Sequence, residues 1–216
     1  MPKISVDDIS QYSSSSNGGS KASFFALKND KDYAFVRIMH TNKSDFDVNV
    51  VHSVVVDGKQ KKVNCLRTAS EPTANCPLCA AGERIQTRMY VHLLQYTQQQ
   101  DGTWVAEPKI FDRGRDYIDK IGTLAETYAP LHATVFKVVR NGKAGDQTTT
   151  YEFLPMPPSY SADVYPYYED DLQYEPALGS AVWDKNKADL EYYVENKEFP
   201  RTGDNANDVQ RRPAPT

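Results

Sequence analysis

Apolar and other positions partly alternate through Ala34-Phe35-Val36-Arg37-Ile38-Met39, and the residues are β-prone, which predicts a first strand. VNVVHSVVV at 48–56 predicts a second, and KKVNCLR at 61–67 a third, with Asp57-Gly58-Lys59-Gln60 between them as a hairpin turn. TRMYVHLLQYTQ at 87–98 and VAEPKIFDRG at 105–114 form another strand pair, joined at Asp101-Gly102. In RDYIDKIGTLAETY, 115–128, Tyr117, Ile118, Ile121 and Leu124 recur at helical spacing, and Pro130 ends the helix. HATVFKVVRNGKAGDQTTTYEFLPM is a further hairpin with Asn141-Gly142 near its tip. Beyond Met156-Pro157-Pro158 the pattern gives way to tyrosine, acid and proline, with a short helix available at KADLEYYVEN, 187–196. No repeat is visible.

Five or more mostly antiparallel strands and one helix make the chain mainly β: a small barrel or α+β domain with a loop-rich insert. Residues 1–22 include the Ser/Gly-rich run SQYSSSSNGGSKA and read as a flexible N-terminal arm. Residues 23–158 read as the core, with an insert at about 48–82, and 159–216 as an acidic, tyrosine-rich C-terminal extension. Hydrophobic residues make up 39% of the 216, enough for a core but with chain to spare. No apolar run is long enough for a membrane span or a signal peptide, so the expectation is a reducing cytoplasm, where a structural disulfide is disfavoured.

The net charge of −4 is unevenly spread. Residues 31–158 carry 16 Lys and Arg against 14 Asp and Glu, whereas 159–216 carry 6 against 12. A slightly basic middle followed by an acidic third is either a solubility pattern or a basic binding surface with an acidic segment for docking or self-shielding. ADVYPYYEDDLQYEP, with Asp163 to Glu175, holds that acid beside aromatics; it is disordered solubilising sequence, a DNA mimic, or a docking site for another replication protein.

The chain has three cysteines, and Cys76 and Cys79 share one tight turn, NCPLC. A disulfide, a redox pair and half of a metal site all use such a spacing. A redox pair needs the cysteines at a helix start in a βαβ pattern, which is absent. With Cys65 and His52 the set is three thiolates and one imidazole, a complete tetrahedral shell for one structural zinc. If Asp57 to Gln60 is a four-residue loop, Val56 pairs with Lys61 and His52 lies opposite Cys65; with a two-residue turn the two are diagonal neighbours on one face. His40, His92 and His132 are the other histidines, and none has a hairpin partner among the cysteines. A zinc deaminase would show His-x-Glu and an open metal position; here Val54 follows His52 by two, and a third cysteine fills the shell, so no enzyme is expected.

From Tyr33 to Met156 the chain resembles the zinc-containing single-stranded DNA-binding proteins of bacteriophages, the helix-destabilising type of the T-even phages. The residues that carry the likeness are AFVRIMH, the order His52, Cys65, Cys76, Cys79 with CPLC, the strand MYVHLL, KIFDRGRDYIDKI leading into a helix, and the hairpin ATVFKVVRNGK. The resemblance implies an OB-type antiparallel barrel with a zinc-binding insert, binding single-stranded DNA without sequence preference during phage replication, recombination and repair in the cytoplasm of an infected bacterium. It implies DNA-contact roles for Tyr90 and Phe111, and basic positions at Arg37 and Lys137. Other phage replication proteins are the implied partners, and the chain is expected to be a monomer in solution, cooperative or not on DNA. T-even members link neighbours through a basic N-terminal arm; here the first 22 residues hold only Lys3 and Lys21 as bases.

The residues point the same way without the resemblance. A single-strand groove needs cations for phosphates and flat side chains for bases, and Lys109, Phe111, Arg113, Arg115 and Tyr117 interleave the two within nine residues. Lys59, Lys61 and Lys62 cluster at the predicted zinc hairpin, as contacts or as a solvated turn. An aromatic in a strand is as readily a core residue as a stacking one. A zinc-ribbon scaffold that binds only protein, within a replication or transcription complex, is the competing expectation.

Overall fold

The computed structural model describes residues 23–67, 75–146, 148–160, 165–167 and 174–200. The expected arm, the C-terminal end and the acids Asp163, Glu169, Asp170 and Asp171 lie outside them. Among the described residues, seven strands form one antiparallel sheet: β1 (Tyr33–Ile38), β2 (Asp47–Val56), β3 (Lys59–Asn64), β4 (Ile85–Gln98), β5 (Trp104–Gly114), β6 (Val135–Asn141) and β7 (Thr150–Pro155). The helices that bear on the site are the one-turn α1 (Pro77–Ala80), α2 (Asp116–Tyr128) and α3 (Lys187–Asn196).

Strand β4 organises the sheet. Its edge toward β2 and β1 is shared end to end: residues 85–90 pair with β2, residues 93–96 with β1. Its other edge pairs with β5 from Arg88 to Gln98. The order is therefore β3-β2-β4-β1-β6-β7, with β5 beyond β4. Residues Met89 to Leu94 are all buried, because both faces of this strand are covered.

The sheet curls but does not close into a barrel, so the expected closure is corrected: no ladder joins β7 to β5 among the described residues. The curl is read from side chains. Phe111 of β5 touches Phe153 and Tyr151 of β7 at 5.3 and 5.5 Å between ring centres, although these strands stand far apart in the strand order. Tyr117 of α2 and Phe25 fill the remaining gap around Phe111, and the Tyr117 hydroxyl accepts a hydrogen bond from the Tyr151 backbone N–H at 2.8 Å. Met89, Val91 and Leu93 of β4 join this core with Val36, Ile38, Phe136, Ile121 and Leu131.

The opposite face carries Tyr90, Leu94 and Tyr96 of β4, which pack under the chain that follows β7. Tyr165 and Tyr174 lie over the half toward β1, and Ala177 and Val182 over Tyr90, Val51 and Ile110. Residues 174–200 are thus part of the fold rather than an extension of it. Trp183 adds to the β3 edge, its N–H bonding the Lys62 carbonyl at 2.8 Å and its carbonyl accepting from Asn64 N–H at 3.1 Å. Helix α3 then packs Leu190 and Tyr193 against Val54, Val63, Cys76 and Leu78.

Candidate metal centre and nucleic-acid interface

The β2–β3 hairpin turns on two residues, Asp57 and Gly58, both with positive φ (51° and 71°), so Val56 pairs with Lys59. His52 then faces Val63, and Cys65, two residues on, is its diagonal neighbour on the same face. The shorter of the two expected turns is the one formed. Cys65 stays in line because its N–H bonds the Val50 carbonyl at 2.9 Å.

The other two thiols come from the turn around α1. Cys76 precedes Pro77, whose fixed φ starts the helical turn, and Ala80 N–H closes on the Cys76 carbonyl at 3.0 Å. Gly82, at φ 78°, lets the chain reverse so that its N–H bonds the Cys79 carbonyl. Leu78, fully buried between the cysteines, anchors the knuckle in the small core with Leu190 and Tyr193.

His52, Cys65, Cys76 and Cys79 bring four ligand atoms within 4.8 Å of one another. His52 Nε2 lies 3.6 Å from Cys76 Sγ and 3.5 Å from Cys79 Sγ, and Cys65 Sγ lies 3.5 Å from Cys79 Sγ. A tetrahedral shell with metal–sulfur bonds of about 2.3 Å and metal–nitrogen bonds of about 2.0 Å has donor separations of about 3.5–3.8 Å. The three cysteines are free thiols. The four donors fit one metal ion with no protein ligand missing. His40, His92 and His132 are not in the cluster.

The protonation states agree with that use. Burial lowers the His52 pKa, which favours the neutral imidazole a metal needs. Its Nδ1 is buried without a hydrogen bond and faces the backbone of Glu83 and Arg84, where a ligating histidine commonly anchors its second nitrogen. Burial pushes the Cys79 thiol up to about 12, and the neighbouring thiols add to it; burial also raises Cys65. At Cys76 burial acts upward too, but backbone hydrogen bonds at Cys79 and Leu66 outweigh it and leave the pKa lowered. Crowded thiols resist sharing negative charge unless a cation sits among them.

The residues expected to touch DNA are divided by the pleat of the sheet. Lys109, Phe111 and Arg113 face one side of β5, paired with Leu93, Val91 and Met89 of the core row. Arg37, Tyr90 and Lys137 belong to the other side. Phe111 and Tyr90 are both 0% exposed, so neither offers a ring to a base in this structure: Phe111 is the aromatic centre of the core and Tyr90 lies under Ala177 and Val182. Tyr117 is buried against Phe111. Arg37, 1% exposed, is spent internally, donating to the carbonyls of Tyr165 and His132 and lying 4.8 Å from the Tyr167 ring.

Arg113 lies over the rings of Phe111 and Tyr151 at 4.5 and 4.3 Å. Lys62 pairs with Asp112, which also holds Arg88 at 2.6 Å, and Lys109 pairs with Glu107 at 2.9 Å. Arg115 and Lys59 are exposed.

A group the sequence reading passed over is more open. Tyr33, 55% exposed, meets Phe35 at 5.8 Å, and Phe35 meets Trp104 at 5.7 Å and stacks on Tyr160 at 5.9 Å. Lys137 Nζ stands 4.2 Å from the Tyr33 ring centre. The signal was present as Tyr33, Phe35 and Arg37 at alternate positions of one strand, all on one face.

No family model matches the chain, and no curated protein matches it.

Proposed function

We propose that the protein binds single-stranded DNA without sequence preference, as a non-catalytic protein of phage replication, recombination and repair, with one structural zinc. The observation that carries this reading is the cluster of exposed Tyr33 with half-buried Phe35, Trp104 and Lys137 on one face of the sheet. Unpaired bases stack on flat side chains, and an ammonium beside them takes the phosphate, whatever the base. Base pairs in a duplex hide those faces, so the same surface favours single strands.

The sheet supports an OB-type reading, since an OB-fold is a partly open barrel and this sheet curls until β5 and β7 meet through side chains. A zinc at His52, Cys65, Cys76 and Cys79 would be closed to water and substrate, with a role in holding the β2–β3 hairpin, α1 and α3 together. Its chemistry there is folding rather than catalysis. Tyrosines 165, 167 and 174 lie on the same face as the aromatic cluster, and the acids between them make that segment a candidate docking site for another replication protein.

The test is competition. Dye-labelled (dT)20 bound to the zinc-loaded protein should be displaced by unlabelled single strands of any sequence, and poorly by a duplex of equal length. Equal displacement by duplex, or no binding of (dT)20, removes the reading and leaves a protein-binding scaffold.

A further inference from the structure

Trp183 lies in a second cation–aromatic cluster, remote from Tyr33. Its backbone is fixed to the β3 edge on both sides, and the adjoining Asn64 and Lys185 exchange two hydrogen bonds, Asn64 Nδ2 to the Lys185 carbonyl at 3.0 Å and Lys185 N–H to Asn64 Oδ1 at 2.8 Å. The half-buried indole has Lys61 Nζ 5.4 Å and Lys185 Nζ 5.7 Å from its centre, within the range of about 6 Å for cation–π attraction. Lys185 also lies 5.0 Å from the Phe199 ring, which meets Trp183 at 5.8 Å.

Neither ammonium has a carboxylate partner among the described residues, and Lys59, exposed at the hairpin turn, has none there either. Asp184, exposed between Trp183 and Lys185, pairs with neither. Two like charges gathered at one ring, with no carboxylate paired to either among the described residues, form a site that favours an anion. A backbone phosphate supplies one, and the base attached to it meets the indole.

We infer that Trp183, with Lys61 and Lys185, is a second single-strand contact, built on the zinc module and separate from the Tyr33 cluster. The inference rests on the single-strand reading and adds where the strand goes. Trp104 stands near one end of β5, and Asp112, which holds Lys62 of the hairpin, stands eight residues along it. At about 3.3 Å per residue Trp104 and Asp112 are roughly 26 Å apart along β5. Lys61 projects from the opposite side of β3 to Lys62, so a strand touching both contacts crosses the β3 edge, where Trp183 sits. The metal then has a binding consequence: it fixes the hairpin that carries Lys61.

The chain has two tryptophans, so each contact can be given its own reporter. In zinc-loaded, full-length Trp104→Phe, Trp183 is the only indole, and saturating (dT)20 should quench its emission, with weaker binding at 200 mM than at 50 mM salt. In Trp183→Phe, the emission of Trp104 reports the Tyr33 cluster. A Lys61→Gln/Lys185→Gln double variant, with zinc content unchanged, should lower the slope of log K against log salt by about one to two units. Unchanged Trp183 emission at saturation while Trp104 responds, or an unchanged salt slope in the double variant, overturns the second contact and leaves the first. Silence of both indoles, with no anisotropy change in labelled (dT)20, overturns the single-strand reading and this inference with it.

Discussion

Tyr193 and Val55 lie 138 residues apart in sequence and share two hydrogen bonds: the tyrosine hydroxyl accepts from Val55 N–H at 3.1 Å and donates to the Val55 carbonyl at 3.2 Å. Helix α3 is thereby latched to the strand that carries His52. Tyr193→Phe should cost about 1 kcal/mol, since these bonds are only partly buried. Hydrogen exchange should show faster opening at β2 and β3 than at β1 and β6. Uniform acceleration over the whole sheet would contradict a local latch.

The same contact changes what truncation means. Removing residues 159–216 would strip Leu190, Tyr193 and Trp183 from the small core around the His/Cys cluster along with the acids. The shortened chain should hold zinc more weakly, seen as faster transfer to a chelator. Retention at the full-length rate would show that α3 does not support the site.

Metal affinity should rise steeply with pH. Cys65 and Cys79 have pKa values raised above the usual thiol range, so near neutral pH both carry protons that a metal must displace. Two displaced protons give about a hundredfold gain in apparent affinity per pH unit near neutrality. Competition with a chelator at pH 6.5 and 7.5 measures it; a flat profile would contradict thiolate ligation. Cys76→Ser should unfold the module before the sheet.

His40 and His92 supply an acid-sensitive element away from the metal. Burial lowers both to about 4, and in His40 the nearby His92 adds to the effect. His40 Nε2 accepts from His92 N–H at 3.0 Å, and Tyr174 bonds Nδ1 at 2.8 Å while stacking on His92. Both folded pKa values lie below the unfolded value near 6.5, so this stability is fully present above pH 6.5 and is lost as pH falls toward 4. Each group contributes on the order of 3 kcal/mol over that window. The metal site weakens over the same range, so the measure is a comparison: His92→Gln should flatten the dependence of Tm on pH relative to the unmodified protein. An identical slope would contradict it.

Core and surface aromatics should separate in a pair of substitutions. Tyr33→Ala should weaken (dT)20 binding by roughly 1–3 kcal/mol with the salt slope little changed. Phe111→Ala should instead destabilise the fold by about 3–5 kcal/mol through the cavity it leaves. Chemical denaturation and anisotropy together distinguish the two; reversed effects would put Phe111 back in the interface.

Much of this fold was legible in the sequence because local patterns agreed with the final packing. The predicted helix at 187–196 matches α3, and the strand at 87–98 lies within β4. The His52, Cys65, Cys76, Cys79 cluster was legible because hairpin register constrains which side chains share a face, and His52 with Cys65 satisfied it under either turn. The surface we propose for DNA was not. Interleaved cations and rings from Lys109 to Tyr117 looked like a groove, but alternation sent Phe111 inward, and only the curl of the sheet explains why that side of β5 is core. The role of residues 174–200 was equally hidden, since Trp183 and Tyr193 find their partners through contacts more than a hundred residues away.

The central claim is that this surface binds unpaired strands through phosphate neutralisation and stacking. The direct measurement is a titration of labelled (dT)20 against the zinc-loaded protein from 50 to 200 mM salt. The account predicts a linear fall of log K with log salt, with a slope reduced by up to about one unit in Lys137→Ala. A slope of zero, or one untouched by Lys137→Ala, would contradict it.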